Sequence, residues 1–194
     1  MSKDVIIIGA GRHGHVVADI IKKSGDSVYG FLDDEVGGVL GKIDDCRLYE
    51  DKYFIVAIGN NKTRNMIVDK YPDLKYYTAI HPSCVISDNV QIGCGTCVMP
   101  GAVINNSAVI AKHCIVNTNS VVEHDCFIRD YVHISPGAIL CGKVTVGEHT
   151  HIGAGAVIRN NIEITSDCVV GAGAVVVSDI AESGVYVGVP AKIM

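Results

Sequence analysis

The stretch Val98-Met99-Pro100-Gly101-Ala102-Val103-Ile104-Asn105-Asn106-Ser107-Ala108-Val109-Ile110-Ala111-Lys112-His113-Cys114-Ile115-Val116 carries an aliphatic side chain at every sixth position. Followed in both directions, the register runs unbroken from Ile80 through Ile86, Ile92, Val98, Ile104, Ile110, Val116, Val122, Ile128, Ile134, Leu140, Val146, Ile152, Ile158, Ile164 and Val170 to Val176. A fixed internal period is the signature of a repeat architecture. A period of six matches neither an α-helix nor a simple alternating strand. It describes a chain that turns a corner every six residues.

A second column supports this. Two positions before each aliphatic stands a small or medium side chain, among them Cys84, Ala102, Ala108, Cys114, Ser120, Cys126, Ala138, Ala156, Cys168 and Ala174. Residues two apart on a strand share a face, so each large-plus-small pair fills a narrow interior. Three positions after the aliphatic a turn former is frequent: Gly95, Gly101, Ser107, Asn119, Asp125, Gly137, Gly155, Asn161, Asp167 and Gly173. Gly, Asn and Asp tolerate the left-handed backbone of a tight corner. Three strands and three corners make a coil of 18 residues, so Ile80 to Val176 supplies about five and a half coils. Stacked at roughly 4.8 Å, they form a prism about 25 Å tall. Each coil needs its neighbours to bury its interior face.

The chain has 194 residues, with 16 basic against 21 acidic side chains and a formal charge of −5. It contains no Lys/Arg run, which argues against nucleic-acid binding. No apolar run approaches the length of a membrane-spanning helix. Met1 to Ile8 lacks the pattern of a signal peptide, and a cytoplasmic location is expected. Of the eight Cys, Cys84, Cys114, Cys126 and Cys168 fall in inward slots, where they act as small hydrophobes. Cys94 and Cys97 form a lone C-x-x-C with no second pair to complete a zinc site, and read as ordinary surface residues. His81, His113 and His149 read as solvent-exposed. No metal site is expected.

Residues 1–76 do not follow the register, and residues 77–194 form the prism with a short tail. Val5-Ile6-Ile7-Ile8 is a strand, and His15 to Lys23 reads as an amphipathic helix stopped at Ser24-Gly25. Val28 to Leu32 and Phe54 to Ile58 are further strands, and Lys62 to Lys70 a second helix. This is a β-α-β pattern of Rossmann type. Between the first strand and helix lies Gly9-x-Gly11-x-x-Gly14, with Asp33 and Asp34 about 20 residues on. Such glycines let backbone amides approach an anion at a helix N-terminus. About 76 residues supply one half of a two-lobed dinucleotide fold, so a mononucleotide carrying a sugar fits better than NAD.

The two halves together resemble a family: bacterial sugar acetyltransferases, notably the UDP-4-amino-sugar N-acetyltransferases of bacillosamine synthesis, with sialic acid O-acetyltransferases as relatives. The motifs are Gly9-Ala10-x-x-His13-Gly14, Phe31-Leu32-Asp33-Asp34, Ala57-Ile58-Gly59-Asn60-Asn61, Asn117-Thr118-x-Ser120-Val121-x-Glu123-His124-Asp125, His133-x-Ser135 and Val187-Gly188-Val189-Pro190-Ala191-Lys192. The resemblance implies a left-handed parallel β-helix after a Rossmann-like half domain. It implies acetyl-CoA-dependent N-acetylation of a UDP-linked 4-amino-4,6-dideoxy sugar by a cyclic homotrimer. His124 would be the general base, supported by Asp125 where relatives carry Glu; Glu123 is a second candidate for that support. Gly11, Arg12, His13, Asp33, Asp34 and Gly59 would hold the nucleotide-sugar. His133, Ala154 and Ala172 would touch acetyl-CoA. Arg12 stands where relatives carry Gly, and either reaches the pyrophosphate or sits in solvent.

The residues themselves agree in part. His124 lies at a corner and faces outward, flanked by Glu123 and Asp125. A neighbouring carboxylate favours the proton-bearing imidazole, and a base working near neutrality suits an amine attacking a thioester. Adding 18 places Gly142 one coil above His124, where its backbone N–H would meet an oxyanion. His133 and His151 stack in the same way. A zinc carbonic anhydrase would leave the nucleotide-type domain idle. O-acetylation, an NAD-dependent oxidoreductase and a non-enzymatic scaffold are the remaining rivals.

Overall fold

The computed structural model describes residues 2–194. Strands β1 (Asp4–Ile8), β2 (Ser27–Leu32) and β3 (Tyr53–Val56) form a parallel sheet in the order β2-β1-β3. Alternate residues of β1 enter two different cores: Ile6 and Ile8 pack with Leu32, Phe54 and Val56, and Val5 and Ile7 with Val17, Ile20 and Ile21. A parallel sheet covered on both faces explains the unbroken aliphatic run. Helix α1 (Arg12–Lys23) starts inside the glycine loop, three residues before the predicted start, because Gly11 already serves as its N-cap. Helix α2 (Asn61–Lys70) is capped by Asn60, whose side chain accepts the Thr63 N–H at 2.9 Å.

From Ala79 onward the chain is a parallel β-solenoid. Two-residue strands recur every six residues and pair with those 18 residues away, as in Cys97–Ile115–His133–His151–Val169. Three faces result. One begins at Ala79–Ile80, the next at Val85–Ile86 and the third at Gln91–Ile92; we call them the first, second and third faces. The aliphatic column is buried from Val98 to Val176. Ile80, Ile86 and Ile92 are half-buried, since no coil lies below them. The other end is closed by the tail: Val185–Val187 pairs with Val169–Val170, and Tyr186 and Ala191 pack on the core.

Every corner residue in the third position, from Gly95 to Gly173, has a positive φ. The expected Gly, Asn and Asp are there, but so are His113 (54°), Tyr131 (60°), Lys143 (62°) and His149 (58°). Left-handed backbone costs a side chain with a Cβ roughly 1–2 kcal/mol. At three of these corners stacked rings offset it: His113 lies on Tyr131 and Tyr131 on His149, both at 5.4 Å between centroids.

The N-terminal sheet and helix α1 sit on the first face, where Val17, Ala18, Ile20 and Ile21 share a core with Ala79, Cys97, Met99 and Ile115. This packing corrects three sequence expectations. Cys97 is buried under the N-terminal unit rather than at the surface, and burial pushes its thiol up to about 12. His113 is 2% exposed, because Tyr76 and helix α2 cover it. His81 is buried too, its Nδ1 bonded to the Ser83 hydroxyl at 2.7 Å. All eight cysteines are free.

Candidate active site

Three groups of residues carry the candidate chemistry, and the solenoid sets their places. The first is the glycine loop. Gly14 lets α1 close onto the strand end: a Cβ there would stand 2.0 Å from the Gly9 carbonyl oxygen. Above Gly11 and Gly59 the space is open. Arg12 is exposed at the first turn of α1. The Asp33 carboxylate accepts the N–H groups of Ala10 (2.7 Å), Glu35 (2.9 Å) and Val36 (3.0 Å). Burial alone would raise its pKa, but these donors together hold it below the usual carboxylate value. Asp33 thus braces the glycine turn with three of its roughly four acceptor positions. Asp34 accepts the Ile43 N–H at 3.0 Å and so fixes the following 3-10 helix (Ile43–Tyr49). Both acids hold the loop's shape, a role the spacing alone did not reveal.

The second group lies on the first face, against that loop. His133 and His151 lie one coil apart, their rings tilted by 35° with centroids 4.7 Å apart. Asn117 Oδ1 accepts the Thr118 N–H at 2.8 Å, which turns its Nδ2 donor onto His133 Nε2 at 3.0 Å. The His133 proton therefore belongs on Nδ1, which is buried with no hydrogen-bond partner among the described residues. Burial, then the nearby His151, Arg64 and His13, push His133 down to about 3; the Gly59 carbonyl pulls the other way without reaching hydrogen-bond geometry. His151 bonds the Ser135 hydroxyl at 2.8 Å, and burial lowers its pKa as well. The His133 ring is neutral at physiological pH and serves as a hydrogen-bonding group. Ala154 and Ala172, one coil apart at the adjoining corner, are exposed. Asn117, Ser135 and His151 had no predicted role of their own; their signal was the spacing of 16 or 18 residues from a stacked neighbour.

The third group is at a different corner, between the second and third faces. His124 is exposed there, and its Nδ1 lies 2.9 Å from Asp125 Oδ2. Glu123 instead accepts the His124 backbone N–H at 3.3 Å, so Asp125 is the carboxylate that orients the ring. Gly142 lies one coil above as expected. A Cβ on it would stand 2.6 Å from His124 Cε1 and Nε2. The Gly142 N–H has no protein acceptor among the described residues. Within one chain, this corner and the His133 group lie on different sides of the prism.

Residues 4–71 match the PglD N-terminal domain family, and residues 125–160 and 143–178 match bacterial transferase hexapeptide repeats. PerB from Caulobacter crescentus, solved in complex with CoA and GDP-perosamine, is 38% identical, with 98% of this chain and 97% of that chain covered at a TM-score of 0.94. The chain belongs to this family of nucleotide-sugar N-acetyltransferases. A second acetyltransferase of known structure is the domain of PglB from Neisseria gonorrhoeae FA1090, in complex with acetyl coenzyme A. It is 37% identical over 100% of both chains, at a TM-score of 0.94. The UDP-N-acetylbacillosamine N-acetyltransferase of Bacillus subtilis (strain 168) is 38% identical over 110 residues, 50% of this chain and 51% of that protein. The matched stretch thus spans about half the length of that curated relative. No helix of this acetyltransferase, among the described residues, is long and apolar enough to cross a membrane.

Proposed function

We propose that the protein transfers the acetyl group of acetyl-CoA to the amine of a UDP-linked 4-amino-4,6-dideoxy sugar. The observation that carries this reading is the bridge Arg64 makes from the carbonyls of Ile58 and Gly59 to those of His113 and Tyr131, which holds a nucleotide-type loop against a hexapeptide prism. Residues 1–76 hold the nucleotide-sugar through Gly11, Arg12, His13, Asp33, Asp34 and Gly59. Residues 77–194 hold acetyl-CoA through His133, Ala154 and Ala172 and perform the transfer.

His124 is the general base. With its Nδ1–H donated to Asp125, its Nε2 is free to take a proton from the amine as nitrogen attacks the thioester carbonyl. The C–N bond forms, and the negative charge on oxygen is met by the Gly142 N–H. The C–S bond then breaks, and the coenzyme A thiolate leaves and takes the proton.

The separation of the His124 corner from the His133 face supports a homotrimer, in which one subunit's corner meets the next subunit's face. The outer column of the second face fits such contact. Val85, Val103, Val121, Ile139, Val157 and Val175 give one apolar side chain per coil, with Val85 62% and Ile139 38% exposed. Eight free cysteines suit a reducing cytoplasm.

UDP rather than GDP is the nucleotide we favour, by likeness to the Bacillus enzyme. The test is product analysis after incubation with acetyl-CoA and a panel of UDP- and GDP-linked amino sugars. An amide in the UDP series supports the reading. Acetylation of GDP-sugars alone would reassign the nucleotide, and an ester product would reassign the acceptor.

A further inference from the structure

Arg64 is 1% exposed, and no carboxylate is among its hydrogen-bond partners. Burial pulls its guanidinium down to about 10, so it stays charged at neutral pH. Its hydrogen bonds reach in two directions. Nε donates to the His113 carbonyl at 2.7 Å and Nη2 to the Tyr131 carbonyl at 2.8 Å, both on the prism. Nη1 donates to the carbonyls of Ile58 at 2.9 Å and Gly59 at 3.4 Å, both on the loop after β3. Nη2 also donates to Asn61 Oδ1 at 2.8 Å. The five N–H donors of a guanidinium are thereby matched by five acceptors.

Asn61, one turn earlier on α2, continues the pattern. Its Nδ2 donates to the His149 carbonyl at 2.9 Å and the Thr150 carbonyl at 3.2 Å. His113, Tyr131 and His149 are the same corner in three successive coils, and all three have left-handed backbone. Two side chains of α2 therefore grip one corner over three coils, and Arg64 also holds the Gly59 loop. A buried charge is a costly way to join two surfaces; well-packed apolar residues usually serve stability as well or better. What a planar fork adds is a fixed position.

We infer that Asn61 and Arg64 form a clasp that sets the Gly59 loop at one position on the prism and so delivers the sugar amine to the acetyl donor. This inference rests on the transferase reading above. Arg64 is a positioning residue in it: it acts through Gly59 and touches no substrate.

The experiment compares wild type with Arg64→Lys, Arg64→Met and Asn61→Ala by single-turnover kinetics at saturating substrates, counting folded protein only, and by hydrogen exchange. Lysine keeps the charge, but from a single nitrogen it cannot span loop and prism together. A displacement near 1 Å costs about 100-fold in rate, so single-turnover rates about 10- to 100-fold lower are expected for both Arg64 variants. The KM values for nucleotide-sugar and acetyl-CoA should stay within a few-fold, and faster exchange should be confined to residues 58–64 and the 113, 131 and 149 corners. Asn61→Ala, which keeps the buried charge and its other partners, should show a smaller loss of the same kind, and it decides the matter if the Arg64 variants do not fold. Wild-type single-turnover rates in the folded variants would overturn the clasp, as would a loss accounted for by unfolding alone. Should wild type itself transfer nothing, the transferase reading fails; exchange then still tests the clasp, which unchanged protection at residues 58–64 would refute.

Discussion

The His124 imidazole lies over the α-carbon of Gly142, so close that a methyl group there would stand 2.6 Å from both Cε1 and Nε2. Gly142 is not in left-handed backbone, so alanine costs nothing in φ. Gly142→Ala should therefore displace the ring while the coil stays intact. Rates fall about 100-fold when a reacting group shifts by an ångström. The expected outcome is a kcat loss of about 10- to 100-fold with KM for acetyl-CoA within a few-fold of wild type. Unchanged kcat would mean that His124 does not act from this position.

The split of the site between two sides of the prism gives a second test. His124→Ala and His133→Ala subunits, each inactive alone, should regain activity when mixed and reassembled. A site built from the corner of one subunit and the face of the next is intact only when a His133→Ala corner meets a His124→Ala face. Random mixing makes that about one site in four, so about a quarter of wild-type turnover is expected. No recovery after proven subunit exchange would place the whole site in one chain.

Ile139 lies mid-column on the second face. Ile139→Glu puts a charge into the proposed subunit contact, where an unpaired buried charge is strongly unfavourable. Sedimentation should show monomers in place of trimers, and activity should fall with assembly. A variant that remains trimeric would move the interface to another face.

Much of this was legible in the sequence. The period of six fixed the solenoid, because an aliphatic and a small residue must alternate inward at every side of a narrow prism. It also placed Gly142 over His124. The corners at His113, Tyr131 and His149 were not legible, since their rings break the expected turn chemistry and find their compensation in one another and in α2. The burial of Arg64 was equally hidden: arginine is ordinarily a surface residue, and its partners are backbone carbonyls, which leave no mark on composition. The roles of Asp33 and Asp34 in shaping the loop escaped because their spacing suits a ligand equally well.

The buried histidines predict a pH dependence of stability. Unfolded, each takes a proton near its ordinary value of 6.5; folded, His113 does so only near 4 and His133 near 3. Burial is the main cause in both cases. Between these limits the unfolded chain binds more protons, so stability rises with pH and is lost as pH falls through the window. The melting temperature should drop from about pH 6.5 to about pH 4, a range above that of most carboxylates. His113→Asn, which tolerates the left-handed corner, should flatten that slope. An equal slope in the variant would show that His113 is not the group responsible.

The most direct measurement is thiol release from acetyl-CoA by wild type and His124→Ala, each supplied with a UDP-linked 4-amino sugar. Wild type should release one thiol for each amide formed. His124→Ala should lose turnover by roughly 100- to 10,000-fold, the usual range for a lost general base, while its nucleotide-sugar affinity stays nearly intact. Thiol release by His124→Ala at the wild-type rate would contradict the base assignment, and none by wild type with any amine or hydroxyl acceptor would contradict the transferase reading itself.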